Sequence, residues 1–378
     1  MRAWQGALGV SDYQGIVSPA YVVQRPRDGV LPRYFHYLLR TPAFAKEAER
    51  WSYGITSDMW SLRPEHFKMI YGCLPILTEQ VAIVRFLDYM DRRIRRYIRA
   101  KQKLIKLLEE QKQAIIHRAV TRGLDPNMRL KPSGVEWLGD VPEHWEVQRV
   151  KQAAQILRGK FTYRPRNDPS LYDGPYPFIQ TGEVARAGKS ITGYRQTLNE
   201  RGLAVSKMFP AGTLVMTIAA NIGAVAVLDF AACFPDSVVG FVPRRCVERD
   251  YLYYVFLAMK SELLREAPVN TQGNLNIDRI GSRGIALPPA PEQQMIVQWI
   301  EERTRCLNAA IERARQETAL LREYRTRLIA DVVTGKLDVR GVELPIADAA
   351  DALGGTNDAV DANMEEVIDT GEAADGDE

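Results

Sequence analysis

One stretch of this chain recurs 213 residues further on, and a chain built on an internal repeat has few folds open to it. Leu74-Pro75-Ile76-Leu77-Thr78-Glu79-Gln80-Val81-Ala82-Ile83-Val84 matches Leu287-Pro288-Pro289-Ala290-Pro291-Glu292-Gln293-Gln294-Met295-Ile296-Val297. The register then holds without a gap to Val120-Thr121-Arg122-Gly123-Leu124-Asp125 against Val333-Thr334-Gly335-Lys336-Leu337-Asp338, where Val120, Thr121, Leu124 and Asp125 meet identical partners. Loops drift in length between copies, so about fifty residues in fixed register imply one uninterrupted element.

The spacing predicts that element to be a long helix. Apolar or tolerated positions recur by fours and threes at Ile83, Leu87, Met90, Ile94, Tyr97, Lys101, Leu104, Leu108, Gln111 and Ile115. The second copy offers Ile296, Ile300, Arg303, Leu307, Ala310, Ala314, Glu317, Leu321, Tyr324 and Leu328. A proline-bearing start and a glycine near the end bracket each stretch. Some 43 residues at about 1.5 Å each make a rod of roughly 65 Å, which cannot bury its own seam. The two copies are therefore expected to pack as an antiparallel coiled coil, with the imperfect positions Lys101, Gln111, Arg303 and Glu317 fixing register.

Globular material separates the rods. Between Val135 and Leu287, β-rich runs such as Thr213–Ile218 and Ala224–Leu228 alternate with Gly/Pro turns, and a helix is expected over Tyr251–Arg265. This is the pattern of an α+β module. Residues 1–73 match only its later part: at an offset of 219, Ser18 falls on Ser237, Val23 on Val242, Phe35 on Tyr254 and Gly54 on Gly273. Met1 would then align near Ala220, leaving roughly 85 residues of the second copy without a counterpart in the first.

Composition narrows the function classes. A hydrophobic content of 46% supports packed cores rather than a disordered chain. The net charge of +3 averages two unlike pieces: from Ala347 to Glu378 there are eleven acidic residues and no basic one, so the remainder carries +14. That basic body suits a polyanion, and the acidic tail reads as disordered. Cys73, Cys233, Cys246 and Cys306 form no CxxC pair, which argues against a zinc site or disulfide framework. No apolar run reaches the length of a membrane span, and the N-terminus lacks signal-peptide character, so a cytoplasmic protein with no membrane partner is expected.

The order of module, helix, module, helix resembles the specificity subunit of type I restriction-modification enzymes. Gly139-Asp140-Val141-Pro142-Glu143-His144-Trp145, Phe178-Ile179-Gln180-Thr181-Gly182-Glu183, Gly15-Ile16-Val17-Ser18-Pro19-Ala20-Tyr21 and Leu287-Pro288-Pro289-Ala290-Pro291-Glu292-Gln293-Gln294 are similar to that family's recurrent segments. The resemblance covers residues 1 to about 345. It implies an α+β fold with two target recognition domains, the first incomplete, joined by the two helices. The layout expected is residues 1–76 for the end of the first recognition domain, 77–134 for the first helix and linker, 135–288 for the second domain, 289–345 for the second helix and 346–378 for the tail. A non-catalytic subunit reading a bipartite site on double-stranded DNA follows from the resemblance, with the helices as a ruler between half-sites. It further implies partners: two adenine methyltransferase subunits using S-adenosylmethionine, and restriction subunits using ATP and Mg. This chain itself would hold no cofactor or metal. The incomplete first domain departs from the family and leaves open a misplaced start, a truncated gene or a rearranged reservoir copy.

Phosphates are met by Arg and Lys, while base edges are read by Arg, Lys, Asn, Gln and hydroxyls. Arg158, Lys160, Tyr163 and Arg164 interleave charge and aromatics on an expected exposed loop, and Arg186, Lys189 and Arg195 extend it. Gln180 and Thr181, within the family-like segment Phe178–Glu183, are further candidates. Gln272, Gly273 and Asn274 form a polar loop whose counterpart holds Tyr53, Gly54 and Thr56. The run Arg92, Arg93, Arg95, Arg96, Arg99, Lys101, Lys103 and Lys106 is either a solvated face, a contact to spacer DNA or a partner surface. Catalytic readings find little. Gly182 to Ser190 is one residue too long for a phosphate-cradling loop, and neither a methyltransferase motif nor a metal-spaced His/Cys set occurs. The competing function is a coiled-coil protein-interaction scaffold without DNA readout.

Overall fold

The computed structural model describes residues 3–11, 13–19, 21–54, 60–265 and 275–345, which fall into two compact units: residues up to 106 together with those from 311 on, and residues 107–310. In the first, α1 (Pro32–Leu38) and α2 (Pro42–Arg50) precede a short hairpin of β1 (Ser52–Tyr53) and β2 (Ser61–Leu62), then α3 (Pro64–Phe67). The long helix α4 (Leu77–Arg122) begins here and ends in the second unit.

The second unit opens with a hairpin of β3 (Leu130–Pro132) and β4 (Asp140–Pro142), followed by β5 (Glu146–Arg149), α5 (Val150–Ala153) and β6 (Ala154–Arg158). The chain continues through β7 (Tyr172–Phe178), α6 (Thr181–Arg186), β8 (Ser190–Ile191), β9 (Gln196–Leu198), α7 (Glu200–Ala204), β10 (Met208–Phe209), β11 (Leu214–Thr217), β12 (Val225–Leu228), β13 (Ala232–Cys233) and β14 (Val238–Pro243). After these come α8 (Arg249–Arg265), α9 (Ile277–Ser282), β15 (Gly284–Leu287) and α10 (Ala290–Val333). Five strands form a sheet in the order β6-β14-β11-β12-β8, antiparallel except for the β8 edge. A four-stranded sheet runs β10-β13-β7-β9, and β15 pairs antiparallel with β5.

Alternation along the strands covers both faces of the larger sheet. Leu214, Met216, Val225, Val227, Val239 and Phe241 pack with α8, whereas Val215, Ala226 and Val238 join Ile179, Phe209 and Phe234 on the other side. The mixed fold, the β-runs and the α8 helix expected from the sequence are all present.

The two long helices have 46 and 44 residues, without internal proline or glycine to break their ladders. Gly123, at φ +72°, takes the left-handed turn that ends α4, and Gly335, at φ +76°, does the same after α10. Within the first unit they run antiparallel, for Asp91 meets Arg325 at 2.5 Å and Lys101 meets Glu317 at 2.5 Å. Ile83, Leu87, Ile94 and Ile98 from α4 share a core with Leu328, Val332 and Val333 of α10.

Half of the expected seam needs correction. The column Leu87, Ile94, Lys101, Leu108, Ile115 faces inward as expected, but its companion lies one residue later, at Asp91, Ile98, Ile105 and Lys112. Tyr97 and Leu104 are exposed, and so is Gln111. The second helix repeats the shift, burying Thr304, Ile311 and Thr318 where Arg303, Ala310 and Glu317 were expected. Polar seam residues disguised the true column, yet each is satisfied. Arg325 and Arg95 bracket Asp91, while the Thr304 and Thr318 hydroxyls donate to the carbonyls of Ile300 and Ala314 at 2.8 Å. Asp91→Ala should leave two half-buried guanidinium groups without their acceptor and destabilise the first unit by about 1.5–3 kcal/mol. A drop in urea midpoint at unchanged m-value is the expected readout.

The repeat extends to the packing, and it corrects the offset of the first module to 217. Gln80 donates to the carbonyls of Gly29 (3.0 Å) and Pro75 (2.8 Å) and accepts from Leu31 N (2.8 Å). Gln293 donates to Cys246 (3.0 Å) and Pro288 (2.8 Å) and accepts from Glu248 N (2.8 Å). The Tyr34 hydroxyl donates to Cys73 O at 2.8 Å and lies 3.4 Å from Val333 O; the Tyr251 hydroxyl matches it with Ala286 O and Val120 O at the same distances. Gly29 therefore answers to Cys246 and Tyr34 to Tyr251. The identities Ser18/Ser237 and Gly54/Gly273 had suggested 219 because they ignore packing.

Candidate DNA interface

Arg158 closes β6 at the sheet edge, and Gly159 follows against the Pro235 backbone. A Cβ on Gly159 would meet the Pro235 carbonyl oxygen at 2.0 Å, so only glycine permits this approach. From there the side chains alternate. Phe161 is buried among Leu171, Phe178, Leu198 and Cys233, while Lys160, Thr162 and Tyr163 are exposed. Backbone bonds pin the loop: Lys160 N donates to Phe234 O (3.1 Å) and Thr162 N to Val205 O (3.1 Å), and the Ser206 hydroxyl donates to Lys160 O (2.8 Å). Arg158 and Lys160 thus stand in solvent on a fixed base, with no side-chain partner among the described residues.

Arg164 is divided between roles. Its Nη1 donates to the carbonyls of Phe161 (3.1 Å) and Tyr163 (2.9 Å), and its Nη2 lies 4.0 Å from Asp236. Arg166 makes the closer ion pair with Asp236, at 2.6 Å. Neither of these last two was singled out from the sequence. Arg166 continues the basic run through Arg-Pro-Arg and was legible there, whereas Asp236 comes to it from 70 positions away.

Gln180 lies on the other side of the strand that anchors Lys160. Ile179 N donates to Cys233 O at 2.8 Å, next to the Phe234 carbonyl taken by Lys160. The Gln180 amide side chain donates to Gln196, and its backbone N donates to Glu183 Oε2 at 3.0 Å, which caps α6. Thr181 is the first residue of α6 and Arg186 its last, with Arg186 3.7 Å from Glu183. Arg195, beside Gln196, is exposed. The structure thereby groups Arg158, Lys160, Tyr163, Arg164 and Gln180 around β13 and ties Arg195 to them through the Gln180–Gln196 bond.

Lys189 leaves this set. Its ammonium sits 2.5 Å from Glu301 and 2.7 Å from Asp250, with the Tyr254 ring 5.7 Å away. Burial disfavours the charge, yet the two carboxylates outweigh it and hold the Lys189 pKa above its ordinary value. A lysine so engaged anchors α8 to α10. Tyr53 and Gly54 belong to the other unit, where the Tyr53 ring stands exposed 5.3 Å from that of His66. Thr56, Gln272, Gly273 and Asn274 lie outside the described residues, as does the acidic tail from 346 on. The basic run on α4 is also split: Arg95 and Lys101 turn to the seam, while Arg92, Arg93, Lys103 and Lys106 are exposed. Among the described residues no cluster of His, Cys, Asp or Glu is fit to hold a metal, and no helix is long and apolar enough to cross a membrane.

Residues 142–319 match the family model described as the Type I restriction modification DNA specificity domain. Over this span the chain is similar to type I specificity subunits. The MjaVIII specificity subunit of Methanocaldococcus jannaschii is 23% identical over 289 residues, covering 73% of this chain and 64% of that protein. The MjaIX specificity subunit of the same organism is 25% identical over 169 residues, 42% of this chain and 37% of the relative. The chain thus spans less than two thirds of the length of these two relatives. A chain from a structural study of complex assembly and conformational transition in the type I R-M system shares the fold, with a TM-score of 0.53 at 19% identity over 81% of this chain and 72% of that one.

Proposed function

We propose that this protein is a non-catalytic specificity subunit that reads double-stranded DNA, its second module contacting one half of a bipartite site. The single observation that carries this reading is the match of residues 142–319 to a DNA specificity domain, the span that holds the exposed Arg158 and Lys160. Two cations on a rigid turn favour phosphate contact, and the neighbouring Gln180, Tyr163 and Arg164 supply groups able to reach base edges. The long helices would act as spacer between half-sites and as a scaffold for methyltransferase and restriction subunits. S-adenosylmethionine, ATP and Mg belong to those partners in this reading.

Duplex binding by the chain assembled with a methyltransferase subunit, titrated across salt concentrations, is the test. Lys160→Ala and Arg158→Ala are each expected to weaken binding to all sequences and to lower the salt slope by about 1. Lys189→Ala should leave that slope untouched and cost only about 0.5–1 kcal/mol of stability, since its ion pairs are partly solvated. A chain that binds protein partners but shows neither salt dependence nor sequence preference would be the interaction scaffold instead.

A further inference from the structure

The outer side of α4 carries charge of one sign. Arg85, Arg92, Arg96, Lys103 and Lys106 are spaced by sevens, fours and threes, so they fall along one line of the helix, turned away from the seam of Leu87, Ile94 and Ile98. All five are exposed, and among the described residues Arg85, Arg92, Lys103 and Lys106 have no side-chain partner. The helix holds only two acids between Gln80 and Leu108, and both are engaged elsewhere. Asp88 accepts from Arg33 at 3.1 Å and from Tyr37 at 2.5 Å, while Asp91 pairs with Arg95 at 2.8 Å and Arg325 at 2.5 Å.

The repeat supplies an internal comparison. At the offset of 213 the same five positions on α10 are Gln298, Arg305, Ala309, Gln316 and Ala319, all exposed and with one cation among them. Glu302 and Glu312 stand on that line as well. Solubility asks an outer face only for some charge, and α10 provides it with both signs. A line of cations kept clear of acids, on one of two helices built to the same pattern, is more than solubility requires. From Arg85 to Lys106 it runs about 32 Å at about 1.5 Å per residue, the axial length of roughly nine base pairs at about 3.4 Å each.

We infer that the outer side of α4 binds the phosphate backbone of a DNA duplex without regard to sequence, through Arg85, Arg92, Arg96, Lys103 and Lys106. The inference rests on the reading of this chain as a DNA-binding subunit and adds to it a contact that carries affinity but no base readout.

The test titrates a random-sequence duplex of about 30 base pairs with the full 378-residue chain across salt concentrations. The fourfold variant Arg85→Gln, Arg92→Gln, Lys103→Gln, Lys106→Gln keeps good helix formers at exposed positions, so its urea midpoint should not move. Expected is a salt slope lower by about 3, with affinity near 0.1 M salt down by about 100-fold or more. Arg92→Gln alone should lower the slope by about 1, and Arg305→Gln at the matching position of α10 should leave it unchanged. If the fourfold variant does not fold, Arg92→Gln and Lys103→Gln carry the test singly, each with an expected drop of about 1. An unchanged slope overturns the inference, and it alone falls if Lys160→Ala still lowers the slope. A parent chain that binds no duplex at any salt overturns the inference together with the reading beneath it. A variant that binds DNA as before but no longer co-purifies with a methyltransferase subunit also overturns it, and gives the line to a protein partner.

Discussion

Trp145→Ala is expected to destabilise the second unit by about 3–5 kcal/mol. The indole is fully buried where the end of α4, the strand β4 and the start of α10 converge. Its Nε1 donates to Glu292 Oε1 at 3.0 Å, and the other oxygen of that carboxylate lies 2.8 Å from His144 Nε2. Its ring is so close to Gly123 that a Cβ there would stand 3.2 Å away. Truncation removes the largest buried side chain of the unit and takes one donor from a half-buried carboxylate. Trp145→Phe keeps most of the apolar contact and forfeits mainly the indole bond, so about 1–3 kcal/mol should go. Urea unfolding of both variants separates the two contributions. A loss below about 1 kcal/mol for the alanine would mean that the helix ends are held by something else.

The second large effect is expected at the paired glutamines. Gln293→Leu strands the carbonyls of Cys246 and Pro288 and the amide of Glu248. Each unmade bond costs about 1–3 kcal/mol where water cannot replace it, so the start of α10 should lose about 3–5 kcal/mol against local opening. Gln80→Leu strands Gly29, Pro75 and Leu31 with the same geometry in the first unit. The two losses should agree within about 1 kcal/mol, because both glutamines are fully buried with matching partners. Hydrogen exchange at each helix start reads them separately, and a marked asymmetry would show that the repeat is one of sequence and not of energetics.

Much of this architecture was legible because a helix of over forty residues advertises itself through period and through the absence of breakers. The phase of its seam was only half legible. Leu104 is as apolar as Ile105 and Tyr97 carries a large apolar ring beside Ile98, so local composition does not say which pair turns inward. The place of Asp91 in the seam was not legible, because its partner Arg325 lies 234 positions away. The basic loop was found by composition, and its exposure at Arg158 and Lys160 follows from the alternation around Phe161. The ion pairs of Lys189 were illegible for the same reason: its carboxylates, Asp250 and Glu301, are brought to it by α8 and α10.

The sequence by itself determined the repeat, the two rods, the mixed modules between them and the resemblance that points to DNA, since each is written in residue order over short range. Tertiary structure alone decided which helix columns meet and which cations stay in solvent. Those outcomes depend on charges and surfaces that approach through space from distant positions, and burial, unlike periodicity, is a property of the partner as much as of the residue.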